Sequence, residues 1–212
     1  MKLQENYFIF QEPIIKMMRN YSNPVIWNTQ RQMGKSTVLV KLITERLINS
    51  DGDYWLMGPN MQTEELIFRK IIEELEKSDQ KIMIRNSRSR IEVITNNHTS
   101  RLLSPRKFSN ILEGTNYPEP NGIFIDEVNI VGIDGIQRML MYLHSDVDKT
   151  KINLYGVTTS LSVEIIEFFT KKFQAPEVIT TNFLSKEMKY IHKGLSDLEI
   201  NAQIYTHEKV KN

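Results

Sequence analysis

Apolar residues along the chain fall into short continuous runs and into runs with a helical period, and the two kinds of run alternate. Such alternation predicts strands and helices in turn, which is typical of an α/β protein with a parallel sheet. The first part of the chain predicts a helix, a strand, a helix, a strand and a helix at Gln11 to Tyr21, Pro24 to Asn28, Lys35 to Asn49, Asp53 to Met57 and Gln62 to Lys77.

The middle of the chain adds two short strand-like runs, Ile91 to Thr95 and Arg101 to Ser104, which we expect to form a β-hairpin laid onto the sheet. A loop rich in Pro, Asn and Gly follows. Further on, the pattern predicts a strand, a helix, a strand and a helix at Ile123 to Ile125, Gly135 to His144, Ile152 to Val157 and Ser162 to Phe173. Apolar residues from Thr180 onward predict a helical tail.

Length and composition are those of one folded domain. With 212 residues, of which 40% are hydrophobic, the chain can bury one full core, and we expect a single domain over 1–212. Lys and Arg total 27 against 26 Asp and Glu, so the net charge of +1 does not mark a nucleic-acid binder, and any basic surface must be local. Cysteine is absent and no apolar run is long enough for a bilayer, so we expect a cytoplasmic protein with no membrane partner.

A phosphate-binding loop is predicted between the first strand and the second helix. Gly34 permits close approach of the backbone to a phosphate, the amides at the start of the helix bind the anion, and Lys35 reaches the outer phosphates. Ser36 supplies a hydroxyl for magnesium. The alternative is a chance Gly-Lys-Ser at a helix start, since Thr29 stands where the usual motif has its first glycine. The predicted ATP-binding residues of the loop are Thr29, Gln30, Arg31, Gln32, Met33, Gly34, Lys35, Ser36 and Thr37.

Two adjacent carboxylates end the strand that is predicted at Ile123 to Ile125. Side chains at the carboxyl end of a parallel strand lie where such sheets bind their ligands. Asp126 is therefore expected to hold magnesium, and Glu127 to orient and deprotonate the attacking water. A solvated acidic turn is the alternative, and the phosphate-binding loop 91 residues upstream argues against it.

Three hydroxyl residues, Thr158, Thr159 and Ser160, follow the next predicted strand. In this position they are candidates for sensing the terminal phosphate and for passing its loss to neighbouring elements. An ordinary turn or a helix cap, supplied by Ser160 or Ser162, is the alternative.

Taken together and in this order, these motifs resemble the ATPase domain of the large terminase subunit, the motor that packages DNA into the heads of tailed phages and herpesviruses. The Arg31-Gln32 pair before the glycine is similar to the deviant phosphate-binding loop of that family, in which the arginine acts on the phosphates in cis. Gln11, 24 residues before Lys35, resembles the adenine-reading glutamine of the family. Glu127, Arg31 and Lys35 are the catalytic residues that this resemblance implies.

The resemblance also implies an overall arrangement. The fold would be a P-loop NTPase of the additional-strand, catalytic-glutamate type, with residues 1–23 as the adenine-binding segment, 24–180 as the core and 181–212 as a helical tail. ATP would be the substrate and Mg²⁺ the cofactor. The implied partners are double-stranded DNA, a portal protein, a small terminase subunit or a separate nuclease, and further copies of the chain in a pentameric ring, all in the host cytoplasm.

Basic residues near the predicted hairpin are the candidates for contacts outside the nucleotide site. The family often carries Arg-Gly ahead of the acidic strand, where this sequence reads Glu113-Gly114. Arg101, Arg106 and Lys107 are therefore candidates for a trans-acting arginine finger or for DNA contacts, with simple solvation as the alternative. Phosphate contacts, a contact with a neighbouring subunit and a solvated loop all remain open for the run Arg85, Arg88 and Arg90.

The function keeps two rival interpretations. One is a helicase-like or defence-associated ATPase with the same core. The other is a nucleotide-gated assembly or DNA-binding subunit that hydrolyses little ATP, although such a protein has no need of Glu127. A nuclease activity is not expected, because the chain ends before the clustered carboxylates of a nuclease domain. A fragment, a split terminase and a stand-alone motor are all compatible with this length.

Overall fold

The computed structural model describes residues 11–20, 24–78, 81–87, 90–104, 119–143, 148, 152–173, 175–181 and 202–205. These residues form helices and strands in alternation, joined by short connections. In chain order the elements are α1 (Gln11–Asn20), β1 (Val25–Thr29), α2 (Lys35–Asn49), β2 (Gly52–Met57), α3 (Met61–Glu76), β3 (Met83–Ser87), β4 (Arg90–Ile94), β5 (Thr99–Leu103), β6 (Gly122–Asp126), α4 (Val128–Leu140), β7 (Asn153–Thr158), α5 (Val163–Lys172), β8 (Glu177–Thr181) and β9 (Ala202–Tyr205).

The strands form one nine-stranded sheet in the order β3-β4-β5-β2-β6-β7-β1-β8-β9. The six central strands β5, β2, β6, β7, β1 and β8 are parallel to one another. Strands β3, β4 and β9 add antiparallel pairs at the two sides. Strand β7 lies between β6 and β1, which is the arrangement of the additional-strand type. The predicted fold class is confirmed, and the predicted hairpin is the antiparallel pair of β4 and β5.

Two apolar clusters, one on each face of the sheet, hold the helices. On one face α1, α2 and α3 pack against alternate strand residues such as Trp27, Phe124 and Tyr155. On the other face α4 and α5 pack against the intervening residues, which include Ile26 and Trp55. Successive side chains of a strand point to opposite faces of the sheet. The nearly continuous apolar runs of the central strands therefore place apolar side chains in the core on both faces. Among the described residues, no helix has the length and apolar character that a bilayer crossing requires.

The register of the parallel strands brings the predicted motifs to one edge. Asn28, at the end of β1, lies beside Thr158 of β7 and Thr180 of β8. Asp126, at the end of β6, lies beside Val157 of β7. The phosphate-binding loop, the acidic pair and the hydroxyl residues therefore leave the carboxyl edge of three neighbouring strands.

The helical tail predicted for 181–212 is wrong in part. Thr180 and Thr181 belong to strand β8, and Ala202–Tyr205 forms strand β9, which pairs antiparallel with β8. The backbone groups on the outer side of β8 require hydrogen-bond partners, and a returning strand supplies them. Apolar spacing within the tail carried no information about this distant pairing.

Two other elements differ from their predictions. The basic run around Arg85 is not a loop, because Met83–Ser87 forms strand β3 and pairs antiparallel with β4. Helix α4 begins at Val128, seven residues before the predicted start, and is kinked at Gly132, where φ is 68° and ψ is 173°. Only glycine adopts such a conformation readily, so this position separates one helical turn after Glu127 from the longer helix that follows.

Candidate active site

The loop between β1 and α2 folds back over the start of α2. Gly34, immediately before the helix, has φ 72° and ψ 31°, and Gln32 also has a positive φ of 65°. A Cβ atom at Gly34 would lie 2.0 Å from Nε2 of Gln11, so only glycine fits. The first turn of α2, with Lys35, Ser36 and Thr37, follows the loop directly, and the backbone amides at a helix start have no partner within the helix, as an anion site requires.

The amine of Lys35 connects the loop with the end of β6. Lys35 is 6% exposed, and its Nζ donates to the carbonyl oxygen of Gln30 at 3.2 Å. The same Nζ lies 3.2 Å from Oε1 of Glu127. A buried ammonium with these two partners at the mouth of the loop is placed to exchange one of them for a phosphate oxygen.

Ser36 and Asp126 form the second link between the loop and β6. Oγ of Ser36 lies 3.2 Å from each carboxylate oxygen of Asp126, and Asp126 is 2% exposed. Burial, and then the negative charge of Glu127, raise the pKa of Asp126 to about 6, although Ser36 and Lys35 act in the opposite direction. A hydroxyl and a buried carboxylate that is costly to ionise form a donor set that a divalent cation would stabilise.

Glu127 occupies a strained junction. Its φ of 51° and ψ of 60° lie in the left-handed region, directly between β6 and α4. Its carboxylate accepts hydrogen bonds from the backbone N–H of Thr159 at 3.1 Å and from the Thr159 hydroxyl at 3.2 Å. Together with Lys35 these groups fix the carboxylate at the carboxyl edge, beside the loop.

Asn129 is a site residue that the motif analysis missed. Its backbone N–H donates to Oγ1 of Thr158 at 3.4 Å, and its side-chain oxygen accepts from the N–H of Ser162 at 3.2 Å. Its amide nitrogen lies 3.5 Å from Oγ of Ser160. Asn129 therefore joins the helix that follows Glu127 to the hydroxyl loop. The only signal for it was an asparagine in the first turn of a helix, a common residue there for local reasons.

One of the three hydroxyl residues, Thr159, contacts Glu127 of the acidic pair. Thr159 bonds Glu127, whereas Thr158 donates to the carbonyl oxygen of Ser160 at 2.7 Å and shapes the turn. The Thr158 contact is the local turn contact of the alternative interpretation, whereas the Thr159 contact reaches the predicted base. Coupling to the terminal phosphate stays a prediction.

Gln11 lies against the loop, and its adenine-reading role stays a prediction. It is fully buried, and its Nε2 donates to the carbonyl oxygen of Met33 at 2.9 Å. Its Oε1 is buried without a hydrogen-bond partner among the described residues. The Nε2 atom thus bonds the loop, while the Oε1 atom remains an acceptor without a donor among the described residues.

Of the remaining loop residues, Thr29 is held by hydrogen bonds, whereas Arg31 and Gln32 are exposed. The hydroxyl of Thr29 donates to the carbonyl oxygen of Thr181 at 3.1 Å and accepts from Oγ1 of Thr181 at 2.7 Å, so Thr29 ties the loop to β8. Arg31 and Gln32 are exposed, and no hydrogen bond or ion pair joins the Arg31 side chain to another described residue. The cis action of Arg31 on a phosphate stays a prediction.

Comparison with solved structures identifies the fold. The large terminase from a thermophilic bacteriophage superposes with a TM-score of 0.62 at 12% identity, covering 89% of this chain and 50% of that one. The large terminase ATPase domain of Thermus phage P74-26 gives 0.53 at 15% identity, over 77% of this chain and 68% of that one. The fold is that of a large terminase ATPase domain. The chain spans 50% of the first of these terminases, a protein that is also known in complex with ADP.

The terminase ATPase fold is shared with helicases. A DEAD box protein from Methanococcus jannaschii superposes with a TM-score of 0.56 at 12% identity, covering 83% of this chain and 50% of that one. No protein-family model and no curated protein matches this sequence. These comparisons thus establish the fold, and the function has to be argued from the site.

Within this terminase fold, Arg101 does not lie near the nucleotide site. It pairs in register with Asp53, at the start of β2 and towards the opposite edge of the sheet. Its guanidinium holds both carboxylate oxygens of Asp53 at 2.5 Å, and this contact raises the pKa of Arg101. Within this chain the Arg101 guanidinium is thus held by Asp53, and its role as a trans-acting arginine finger or in DNA contacts stays a prediction. Arg106 and Lys107, the other two candidates, lie outside the described residues.

Arg101→Gln is expected to lower the free energy of unfolding by about 1–3 kcal/mol, because the largely buried Asp53 carboxylate loses its cation. Duplex affinity should be unchanged. Urea unfolding and a duplex-binding titration check this. Arg90→Gln is the matched control, since Arg90 pairs with Glu92 at 3.1 Å at a more exposed site. A loss of duplex affinity without a loss of stability would contradict the structural role.

The basic run is neutralised in part. Arg85 and Arg90 both lie beside Glu92, at 3.7 Å and 3.1 Å, so two of its guanidinium groups have an acidic neighbour on β4. Arg88 lies outside the described residues. Among the described residues no group of His, Cys, Asp or Glu side chains forms a metal cluster of three. A magnesium site here would rest on Ser36, Asp126 and the nucleotide.

Proposed function

We propose that this chain hydrolyses MgATP and couples hydrolysis to the translocation of double-stranded DNA, as the motor of a large terminase. The observation that carries the proposal is the joint placement of Lys35 and Glu127, 3.2 Å apart, with Ser36 and Asp126 at the same edge. A phosphate-binding amine, a carboxylate for water and a donor pair for a cation are the parts of a hydrolytic phosphoryl-transfer site.

The donor set fits Mg²⁺. The ion takes few protein ligands in such sites, usually one or two oxygens besides the phosphates, and Ser36 and Asp126 converge within 3.2 Å of each other to supply them. Held by Ser36 and Asp126, Mg²⁺ would neutralise the charge of the outer phosphates. Ionising the buried Asp126 carboxylate costs free energy in the nucleotide-free protein. A bound cation would offset that cost.

The protein's own groups divide the remaining work. The first amides of α2 hold the phosphates, and Lys35 turns from Glu127 to the terminal phosphate. Glu127 then keeps its hydrogen bonds to Thr159, which aim its carboxylate at a water from which it takes the proton. Arg31, exposed at the tip of the loop, swings in to stabilise charge on the phosphoryl group.

The packaging task is favoured over its rivals by the loop. Arg31 and Gln32 precede Gly34 in place of the usual glycine spacing, and Thr29 uses its hydroxyl to bind β8. A nucleotide switch without hydrolysis is disfavoured, because the strained backbone of Glu127 and its three contacts hold the carboxylate in one position, which a catalytic base needs. In this proposal the partners are duplex DNA, a portal protein, a small terminase subunit or separate nuclease, and further copies of the chain in a ring in the host cytoplasm.

The test is steady-state ATP hydrolysis with and without duplex DNA, at stated salt, by the wild type and Lys35→Ala. The wild type should turn over ATP faster with duplex, and Lys35→Ala should not turn it over, because the phosphates lose their buried cation. Lys81→Ala, at an exposed lysine, is the matched control and should behave as the wild type.

The other outcomes select a rival. Stimulation by single strands together with strand separation would support a helicase. ATP binding without turnover, with DNA and with the portal protein present, would support a nucleotide-gated assembly subunit and would exclude the motor.

A further inference from the structure

The first turn of α1 is attached to the phosphate-binding helix by a half-buried ion pair. Nζ of Lys41, in α2, lies 2.6 Å from Oε2 of Glu12, which is the residue next to Gln11. The Lys41 side chain is 11% exposed and that of Glu12 is 57% exposed. The bond to Lys41 lowers the pKa of Glu12, so the Glu12 carboxylate is ionised at neutral pH.

The two ends of the Gln11 amide have different tasks. Nε2 holds the carbonyl oxygen of Met33, while Oε1 is buried and has no partner among the described residues. A buried acceptor without a donor is costly, and a ligand that brings an N–H removes that cost. The exocyclic amine of adenine is such a donor, whereas guanine presents a carbonyl oxygen at the same ring position.

The position of Oε1 depends on how the start of α1 sits on α2. The apolar residues Ile14, Ile15 and Met18 anchor the middle and the end of α1 in the core. Lys41 lies six residues after Lys35 on α2, so the ion pair ties the beginning of α1 to the helix that holds the phosphates. The ion pair and the Gln11 amide thus both connect the first turn of α1 to α2 and the loop before it.

We infer that the pair Glu12–Lys41 is a positioning pair that determines the preference for adenine, by fixing Gln11 relative to the phosphate-binding helix. The inference rests on the proposed function, in which Gln11 reads the base. It assigns base selectivity to two residues that do not touch the nucleotide. We expect affinity for the phosphates to be independent of them, because Lys41 lies six residues beyond Lys35 on α2 and its amine points to Glu12 of α1.

The experiment measures dissociation constants by calorimetry for three probes, ATP, GTP and tripolyphosphate, each with Mg²⁺. Lys41→Met should reduce the preference for ATP over GTP by about tenfold, as expected for the loss of a contact that couples two groups, while tripolyphosphate affinity stays within about twofold. Glu12→Gln, at an exposed carboxylate whose loss leaves the core intact, should act in the same direction. The charge-swapped double variant Glu12→Lys, Lys41→Glu should regain most of the preference.

Lys16→Met is the matched control. Lys16 is an exposed lysine of the same helix α1, and its loss should leave all three dissociation constants unchanged. The inference is overturned if Lys41→Met and Glu12→Gln keep the wild-type preference, or if they weaken tripolyphosphate as much as ATP.

Failure of the inference is distinguishable from failure of its premise. If the wild type binds ATP and GTP equally, the base-reading role of Gln11 fails together with the inference. The hydrolytic assignment is unaffected by that result, because it is measured as turnover.

Discussion

Glu127→Gln is expected to lower ATP turnover by about 10³-fold while ATP affinity is retained or improved. The amide cannot take a proton from water, yet it keeps an oxygen that accepts from the N–H and hydroxyl of Thr159, so the geometry of the junction survives. Lys35, which lies 3.2 Å from Oε1 of Glu127, loses a competing anion and becomes more available to the terminal phosphate. Loss of rate and gain of affinity should therefore occur in the same variant.

Single-turnover hydrolysis and equilibrium binding of ATP separate the two effects. Glu164→Gln, at a fully exposed carboxylate on α5, is the matched control and should leave both quantities unchanged. Turnover within a few-fold of the wild type in Glu127→Gln would remove Glu127 as the base. A parallel loss of ATP affinity would indicate a structural collapse of the loop.

Asp126→Asn is expected to raise the free energy of unfolding of the nucleotide-free protein by about 2–3 kcal/mol at pH 8 and by only about 1 kcal/mol at pH 4.5. Burial, and then the charge of Glu127, raise the pKa of Asp126 from 3.8 to about 6. A carboxyl group whose pKa is higher in the folded protein stabilises the fold below pH 3.8, and this stabilisation is lost as the pH rises through 6. Asparagine resembles the protonated acid and is spared the cost of ionisation.

Urea unfolding at several pH values measures this effect, with Asp134→Asn, at an exposed carboxylate of α4, as the control. Adding MgATP should reverse the order, because the wild type regains a cation for its carboxylate and the variant does not. A variant that is less stable than the wild type at pH 8 without nucleotide would contradict the burial cost. Equal stabilisation of both proteins by MgATP would exclude Asp126 from the cation site.

Local signals predicted the elements that place the chemistry. Helix α2 was predicted at its observed bounds, Lys35–Asn49, because a glycine before it and a clear helical period within it are both local properties. Strand β6 was predicted because a fully buried strand is a continuous apolar run, and Asp126 stood out at its end. The edge at which the motifs meet then followed from the rule that parallel strands align their carboxyl ends.

The pairing of strands that lie far apart in the chain could not be predicted from local sequence signals. Strand β3 has an exposed, polar sequence, and only its partner β4 makes it a strand. The same holds for β9, whose backbone is ordered by β8 more than 20 residues earlier in the chain. Strand formation depends on a partner, so propensity within a segment decides little.

The sequence by itself determined which chemical groups the site contains. The backbone freedom of Gly34 and the ionisable side chains of Lys35, Asp126 and Glu127 are properties of the residue types. The electrostatics of the site were decided by the tertiary structure. The raised pKa of Asp126 arises from burial between strands, and the engagement of Arg101 by Asp53 arises from the register of β5 against β2. Both are properties of groups far apart in the chain, and a charge has no fixed environment until the fold supplies its neighbours.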